Sequence, residues 1–442
     1  MSDPNSSEPL AGSPSEERSP VVDLVGARVF GGRPLVRLVV VVLALLALAI
    51  YTSTLPTVLV VLAIVAMIMI HELGHFIVAK ISGMKVTEYF LGFGPRIYSK
   101  KFGETEYGIK AIPAGGYVRI IGMNSIDEVP ASDEARTYRK ASFPARIATS
   151  AAGSFMHFLM AFMILWSIFA FVGVPDASKV IVSQLSVFSN MATPAASAGI
   201  RPGDQILKID NKTVTSGSEL ATFINSHPGK QITLEVARGT KDLIIKVTPV
   251  NAMNVQEDHK AIYTGKKPLG MIGIVLGYGT STYNPIEAIA KAGSGIVATS
   301  SQTVSALVSH FSPHGISLYA SQLVHPSTNP ASPGAQSRFE SPVGIVRLAS
   351  QAVHSGLETV LGLLFSINIF IGIFNMIPLL PLDGGHVAVA VYEWARSKKG
   401  KRYQMDITKA MPLTYAVFAL IIILGVTALY LDVTHPLGNP FG

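Results

Sequence analysis

No cysteine occurs anywhere in the chain. Disulfides, thiol nucleophiles and thiolate-bound metals are excluded together, so any metal must be held by His, Asp or Glu. Charge is scarce too: Asp, Glu, Lys and Arg make up 14% of the 442 residues, against 49% hydrophobic ones. That balance does not suit a soluble enzyme and fits a polytopic membrane protein with a soluble portion attached. Acidic residues are the scarcer sign, 28 against 35 Lys and Arg, for a formal charge of +7. A basic excess can mark nucleic-acid binding, but no basic stripe with interleaved aromatics is present. The cations cluster beside apolar runs instead, where they set membrane topology.

What is present in quantity is apolar sequence. Five runs are long enough to consider as spans: Leu35 to Ser53, Leu55 to Lys80, Ala145 to Val174, about Leu357 to Pro378, and Met411 to Leu431. The first reads as a retained anchor and not a signal peptide, because a long tail precedes it and no small-x-small cleavage site follows. The stretch after the second run carries Lys85, Arg96, Lys100, Lys110, Arg119 and Arg146 among others. The loop before the fifth carries Arg396, Lys398, Lys399, Lys401, Arg402 and Lys409, and the tail has Arg28, Arg33 and Arg37. Positive residues mark the cytoplasmic side. All three segments are therefore expected inside, and the region from about 175 to 350 outside.

Residues 1–34, rich in Ser, Pro and Glu, read as a disordered cytoplasmic tail. The N-terminal membrane half, 35–174, includes a β-branched and aromatic alternation after its second run that reads as short strands. Residues 175–252 read as a small α/β domain. Residues 253–350 form an extracytoplasmic linker region, with one helical stretch and a Ser- and Pro-rich connector bearing His310, His314 and His325. These histidines are expected at the surface. The C-terminal membrane half is 351–442.

Two motifs carry chemistry. His71-Glu72-Leu73-Gly74-His75 is an H-E-x-x-H pattern late in an apolar helix. Residues four apart share a helix face, so both imidazoles can grip one zinc ion, while Glu72 is displaced to hold a water without being a ligand. The alternative is a chance match of polar side chains, which apolar surroundings disfavour. Zinc that does chemistry keeps three protein ligands and an open position. Asp383 is a candidate third ligand: it lies in "NMIPLLPLDGGH", Asn375 to His386, where two prolines and two glycines break the helix. The bland reading of that stretch is a helix stop at the interface.

Taken together, "HELGH", "GFGP…AIPAGGYV" and "NMIPLLPLDGG" resemble the site-2 protease family of intramembrane zinc metalloproteases, in its bacterial branch with a PDZ insert. The resemblance runs from about Leu55 to Leu431. It implies zinc on His71, His75 and Asp383, catalysis by Glu72, and a bound substrate close to Asn375. It implies a core of four membrane helices, here preceded by one more, with "AIPAGGYVRI" as membrane-associated β-structure. Within that structure Gly115, Gly116 and Tyr117 are either a plain hairpin turn or an exposed strand edge that holds substrate extended through main-chain hydrogen bonds. The stretch Thr193 to Ile206 resembles PDZ domains of bacterial proteases, so 175–252 is expected to be an extracytoplasmic PDZ-like domain. The family pattern Gly-Pro-x-x-Asn appears here as Gly153-Ser154-Phe155-Met156-His157, and His157 is either a further polar contact near the site or a packing histidine.

The expectation is thus a polytopic α-helical protein with about five spans, acting as a zinc-dependent intramembrane endopeptidase in a bacterial plasma membrane. Its expected substrates are single-span proteins already shortened by another protease, such as an anti-sigma factor or a signal-peptide remnant. The alternative is a PDZ-containing membrane adaptor without protease activity. Such an adaptor explains the spans and the domain but leaves Glu72 without a task. A metal transporter fits less well, since the second run is apolar from Leu55 to Ile70.

Overall fold

The computed structural model describes residues 34–123, 128–397 and 403–441. The N-terminal tail and the basic residues Arg28, Arg33, Lys398, Lys399, Lys401 and Arg402 lie outside the described residues. The chain gathers into two compact units, Met1–Gly153 with His386–Met411, and Ser154–Gly385 with Pro412–Gly442.

In the first unit, α1 spans Pro34–Tyr51 and α2 spans Leu55–Ile81. A proline in the first turn of α2 costs no hydrogen bond, and Lys80 in its last turn meets the negative end of the helix dipole. Its buried residues, Val60, Met67, His71, Gly74, His75 and Ala79, fall on one stripe, while Leu59, Leu62 and Ile77 stay exposed. Strands β1 (Val86–Phe102) and β2 (Thr105–Ile120) are each bent double. Residues 88–91 pair with 106–109 on one side and with 116–119 on the other, and 96–102 pair with 105–110. The bend in β1 needs glycine: Gly92 has φ +85°, and a Cβ there would stand 2.5 Å from the Ile112 carbonyl oxygen. The outcome is a four-armed antiparallel sheet with 116–120 along one edge. Ala79, Met84, Val86, Ile120 and Tyr138 form the apolar cluster that seats it on the end of α2. Helix α3 (Phe143–Ser167) follows and continues as a π-helical turn, Ile168–Val172.

In the second unit, β3 (Val174–Leu185), α4 (Pro194–Ser197), β4 (Gln205–Ile209), β5 (Lys212–Thr213), α5 (Gly217–Asn225), β6 (Ile232–Arg238) and β7 (Lys241–Val247) build a β-domain. Two small pairs follow, β8 (Val250–Asn251) with β11 (Gly270–Met271) and β9 (Gln256–Glu257) with β10 (Lys260–Ala261), and then β12 (Ile274–Ser281). The sheet order is β12-β3-β4-β6-β7, with β5 on β4. The domain therefore runs past the expected boundary at 252, because β12 returns to pair with β3. Its core is aliphatic, with Val182, Ile206, Leu220, Leu234 and Val236 buried. Asp204 is buried and takes two bonds from Arg238, at 2.7 and 2.8 Å, which hold its carboxyl below the usual carboxylate range.

The expected linker is also corrected. Residues 285–355 fold into α6 (Pro285–His310), α7 (Pro313–Val324), α8 (Pro333–Gln336) and α9 (Pro342–Ser355). Ser312, Ser332 and Ser341 each cap a helix whose first turn holds a proline, with the hydroxyl accepting the N–H of Gly315, Ala335 and Gly344. Then come α10 (Leu357–Asn375), α11 (Asp383–Arg396) and α12 (Met411–Thr434). Near the end of α12, Asp432 is fully buried and accepts from the Ser341 N–H at 2.8 Å and from Arg347 Nη2 at 3.1 Å.

Among the described residues four helices are long and apolar enough to cross a membrane: Leu55–Ile81, Phe143–Val172, Leu357–Asn375 and Thr408–Thr434. Exposed Phe155, Met163, Ile423 and Val426 fit lipid-facing surfaces. The expected first span forms α1, whose apolar stretch, Leu38–Tyr51, is shorter than the about 20 residues that typically cross a bilayer.

Candidate metal centre

Helix α2 turns His71 and His75 inward, and both are buried. The His75 Nδ1–H donates to the Thr149 carbonyl of α3 at 2.6 Å, which fixes the tautomer and leaves Nε2 with its lone pair. The two Nε2 atoms stand 3.2 Å apart. Two nitrogens bound tetrahedrally to one zinc at about 2.0–2.1 Å would be about 3.3–3.4 Å apart, so the spacing fits a shared ion. Space for the rings comes from Gly153: a Cβ there would lie 2.4 Å from His71 Cε1 and from His75 Nε2.

Asp383 is the first residue of α11, where the helix dipole favours a carboxylate. The non-helical stretch before it, 376–382, folds back over the next two residues. A Cβ on Gly384 would stand 2.3 Å from the Met376 carbonyl oxygen, and one on Gly385 2.5 Å from the Leu380 nitrogen. Only glycine permits that approach. Asp383 offers one carboxylate beside the two imidazoles of His71 and His75, the candidate donor set among the described residues. Two neutral imidazoles and one carboxylate are the donors of a catalytic zinc with a position left open. His310, His314 and His325 gather no such set among the described residues.

Glu72, half-buried, faces the edge of the sheet. A Cβ on Gly116 would lie 3.2 Å from Glu72 Cγ and 2.7 Å from Met69 Sδ, so the strand backbone comes this close only because the residue is glycine. Gly115 adopts φ +129°, a conformation side chains rarely take. Tyr117 stacks on Phe90 at 5.8 Å and donates its hydroxyl to Glu88. Burial first, then that bond, push the Tyr117 phenol up. Tyr89 donates to the Met69 carbonyl at 2.7 Å, and burial with the nearby Glu72 charge pushes it up to about 12.

Asn375 is the last residue of α10 and is half-buried. The His157 Nδ1–H donates to Asn368 Oδ1 at 2.8 Å, with both residues buried. Sequence reasoning passed over Asn368, although an amide in the middle of a largely apolar span is a visible signal. It also passed over Arg146, whose Nη1 donates to Glu393 Oε2 of α11 at 2.5 Å in a buried pair. With Thr149, Gly153 and His157, Arg146 lies on one stripe of α3 at spacings of three and four.

Residues 59–422 match peptidase family M50. The chain is 32% identical to the zinc metalloprotease Rip1 of Mycolicibacterium smegmatis, over 85% of this chain and 96% of that one. It is 30% identical to the zinc metalloprotease Rip1 of Mycobacterium tuberculosis, over 86% and 96%. Among solved structures, the PDZ domain of an SdrC-like protein from Listeria monocytogenes aligns with 22% of this chain and 87% of its own, at 23% identity and a TM-score of 0.17.

Proposed function

The chain belongs to peptidase family M50, and on that premise we propose that it cuts other membrane proteins within their apolar segments. It is a zinc metalloprotease and a multi-pass membrane protein; the adaptor reading of the sequence gives way to an enzyme. The observation that carries the proposal is the pairing of the His71 and His75 Nε2 atoms, with the Glu72-bearing turn of α2 against the strand edge at Gly116.

His71, His75 and Asp383 would hold zinc, which would supply Lewis acidity to polarise a carbonyl and acidify a water. The residues around it do the rest. The Thr149 carbonyl orients His75, and Gly153 leaves room for both rings. The edge 115–119 holds an unwound substrate segment by main-chain hydrogen bonds, and Asn375 assists in positioning it. Glu72 takes the proton of the attacking water on its carboxylate and returns it to the leaving nitrogen.

The substrates we propose are single-span proteins already trimmed outside the membrane, an anti-sigma factor or a signal-peptide remnant, in regulated intramembrane proteolysis. Purified protein in lipid nanodiscs should cleave such a segment inside its apolar stretch. Stripping zinc with a chelator should stop cleavage, and added zinc should restore it. Cleavage that survives complete zinc removal, or cuts confined to soluble loops, would refute the reading.

We place the enzyme in a bacterial plasma membrane, with α1 as a fifth span, Lys100 inside, and the β-domain outside as a PDZ-like module. Single cysteines introduced into the thiol-free background provide the check. An impermeant thiol reagent applied to intact cells should label position 204's surroundings, for instance Gln205→Cys, and spare Lys100→Cys. The opposite pattern overturns the orientation.

A further inference from the structure

The sheet that flanks Glu72 has two faces of different chemistry. On one face Gly116 adjoins Met69 and Glu72, and the Tyr89 hydroxyl reaches the Met69 carbonyl, so this face lies against α2. Side chains alternate along a strand, which puts Phe90, Gly108, Lys110 and Tyr117 on the other face. The contacts agree. A Cβ on Gly108 would lie 2.5 Å from Phe90 Cε1, and Phe90 stacks on Tyr117. The Lys110 ammonium sits 5.0 Å from the Phe90 ring centre and 4.7 Å from that of Tyr117.

The carboxylates of this face are already engaged. Glu88 accepts from the Tyr117 hydroxyl and from Arg119, and Glu106 accepts from Ser99 and Arg96. Lys110 makes no ion pair among the described residues; aromatic faces hold it in place. The edge 116–119 is paired on one side only, with 88–91, among the described residues. A substrate strand added to the open side would run about 4.8 Å away, with its side chains alternating between the two faces. Where one substrate residue passes Gly116 and Glu72, its neighbour points to the opposite face, beside Tyr117. Opposed Cβ atoms are about 4.5–5.5 Å apart, so a carboxylate on that neighbour reaches across the Tyr117 ring to the ammonium.

We propose that Lys110 is a specificity-determining residue that selects substrates with Asp or Glu directly flanking the cleaved bond. The proposal rests on the cleavage reading above, and the test separates the two. Full-length enzyme in nanodiscs of uncharged lipid is given one single-span host substrate with Asp, Asn or Lys at each position flanking the cut. At one of those positions Asp should exceed Lys about tenfold in kcat/KM, with Asn between, as attraction to one and repulsion of the other combine. Lys110→Glu should reverse the order. Lys110→Gln, a milder change that keeps a polar chain over the rings, should bring the Asp-to-Lys ratio to about one. If all substrates are cut with the same ratio by wild type and both variants, Lys110 does not select. If the variants change cleavage only when anionic lipid is added, regardless of substrate charge, the ammonium binds a lipid headgroup and the proposal is overturned. If wild type cuts none of the set, the cleavage reading itself fails, and this inference falls with it.

Discussion

Glu72→Gln is expected to lower peptide-bond cleavage by at least about a hundredfold while zinc stays bound. Positioned acid–base groups are typically worth about 10²–10⁴ in rate. The amide is isosteric, so it keeps the approach of Gly116 to the Glu72 side chain. It can still hold a water by hydrogen bonds but cannot take up a proton. The loss should therefore fall on kcat, with metal content near one zinc per chain by elemental analysis. Cleavage within a few-fold of wild type by the purified variant would remove Glu72 from the mechanism. A parallel loss of zinc would instead make it part of the metal's support.

Gly153→Ala is expected to empty the metal centre and abolish activity. The added methyl would stand 2.4 Å from His71 Cε1 and from His75 Nε2, inside the contact distance of either ring. Both rings would have to withdraw, although His75 is tied by its other nitrogen to the Thr149 carbonyl. We expect zinc content well below half of wild type, and activity down by more than about a hundredfold, since a catalytic zinc site needs all its ligands. Gly362→Ala is the matched control. That glycine lies on α10, and a Cβ there meets nothing within 4 Å. Full zinc in Gly153→Ala protein would show that the rings have room the present geometry denies them.

How much of this could be read beforehand depends on the kind of signal. His71, Glu72 and His75 were legible because a spacing of four on a helix has one geometric meaning, and because polar groups in an apolar run demand an explanation. Asp383 was legible through its two prolines and two glycines, which interrupt a helix where lipid-exposed backbone would be costly. Gly153 was not. A glycine in an apolar helix has many readings, and only the rings of His71 and His75 beside it give it one. The Ser-Pro pairs at 312, 332 and 341 misled in the opposite direction. Their composition reads as linker, yet each is a capping serine followed by a proline suited to a first helical turn. The β-domain boundary failed for a topological reason: β12 is separated from the rest of its sheet by two small hairpin-like pairs, and no local pattern announces that a later strand returns to β3.

The contact between Ser341 and Asp432 spans 91 residues of chain. Between its ends lie all of α9 and α10, the folded-back stretch with Asp383, and α11, so the contact closes a ring of polypeptide around the carboxylate donor. During synthesis that ring cannot close until α12 has been made. Before then Arg338, Ser341 and Arg347 lack the acid that later accepts from all three. The histidine-bearing helix is thus translated long before the last span, while the segment that presents Asp383 is secured at its far end only when that span arrives. An order of assembly is written into the fold: α2 brings the imidazoles early, and the last membrane helix fastens the ring that carries the third donor.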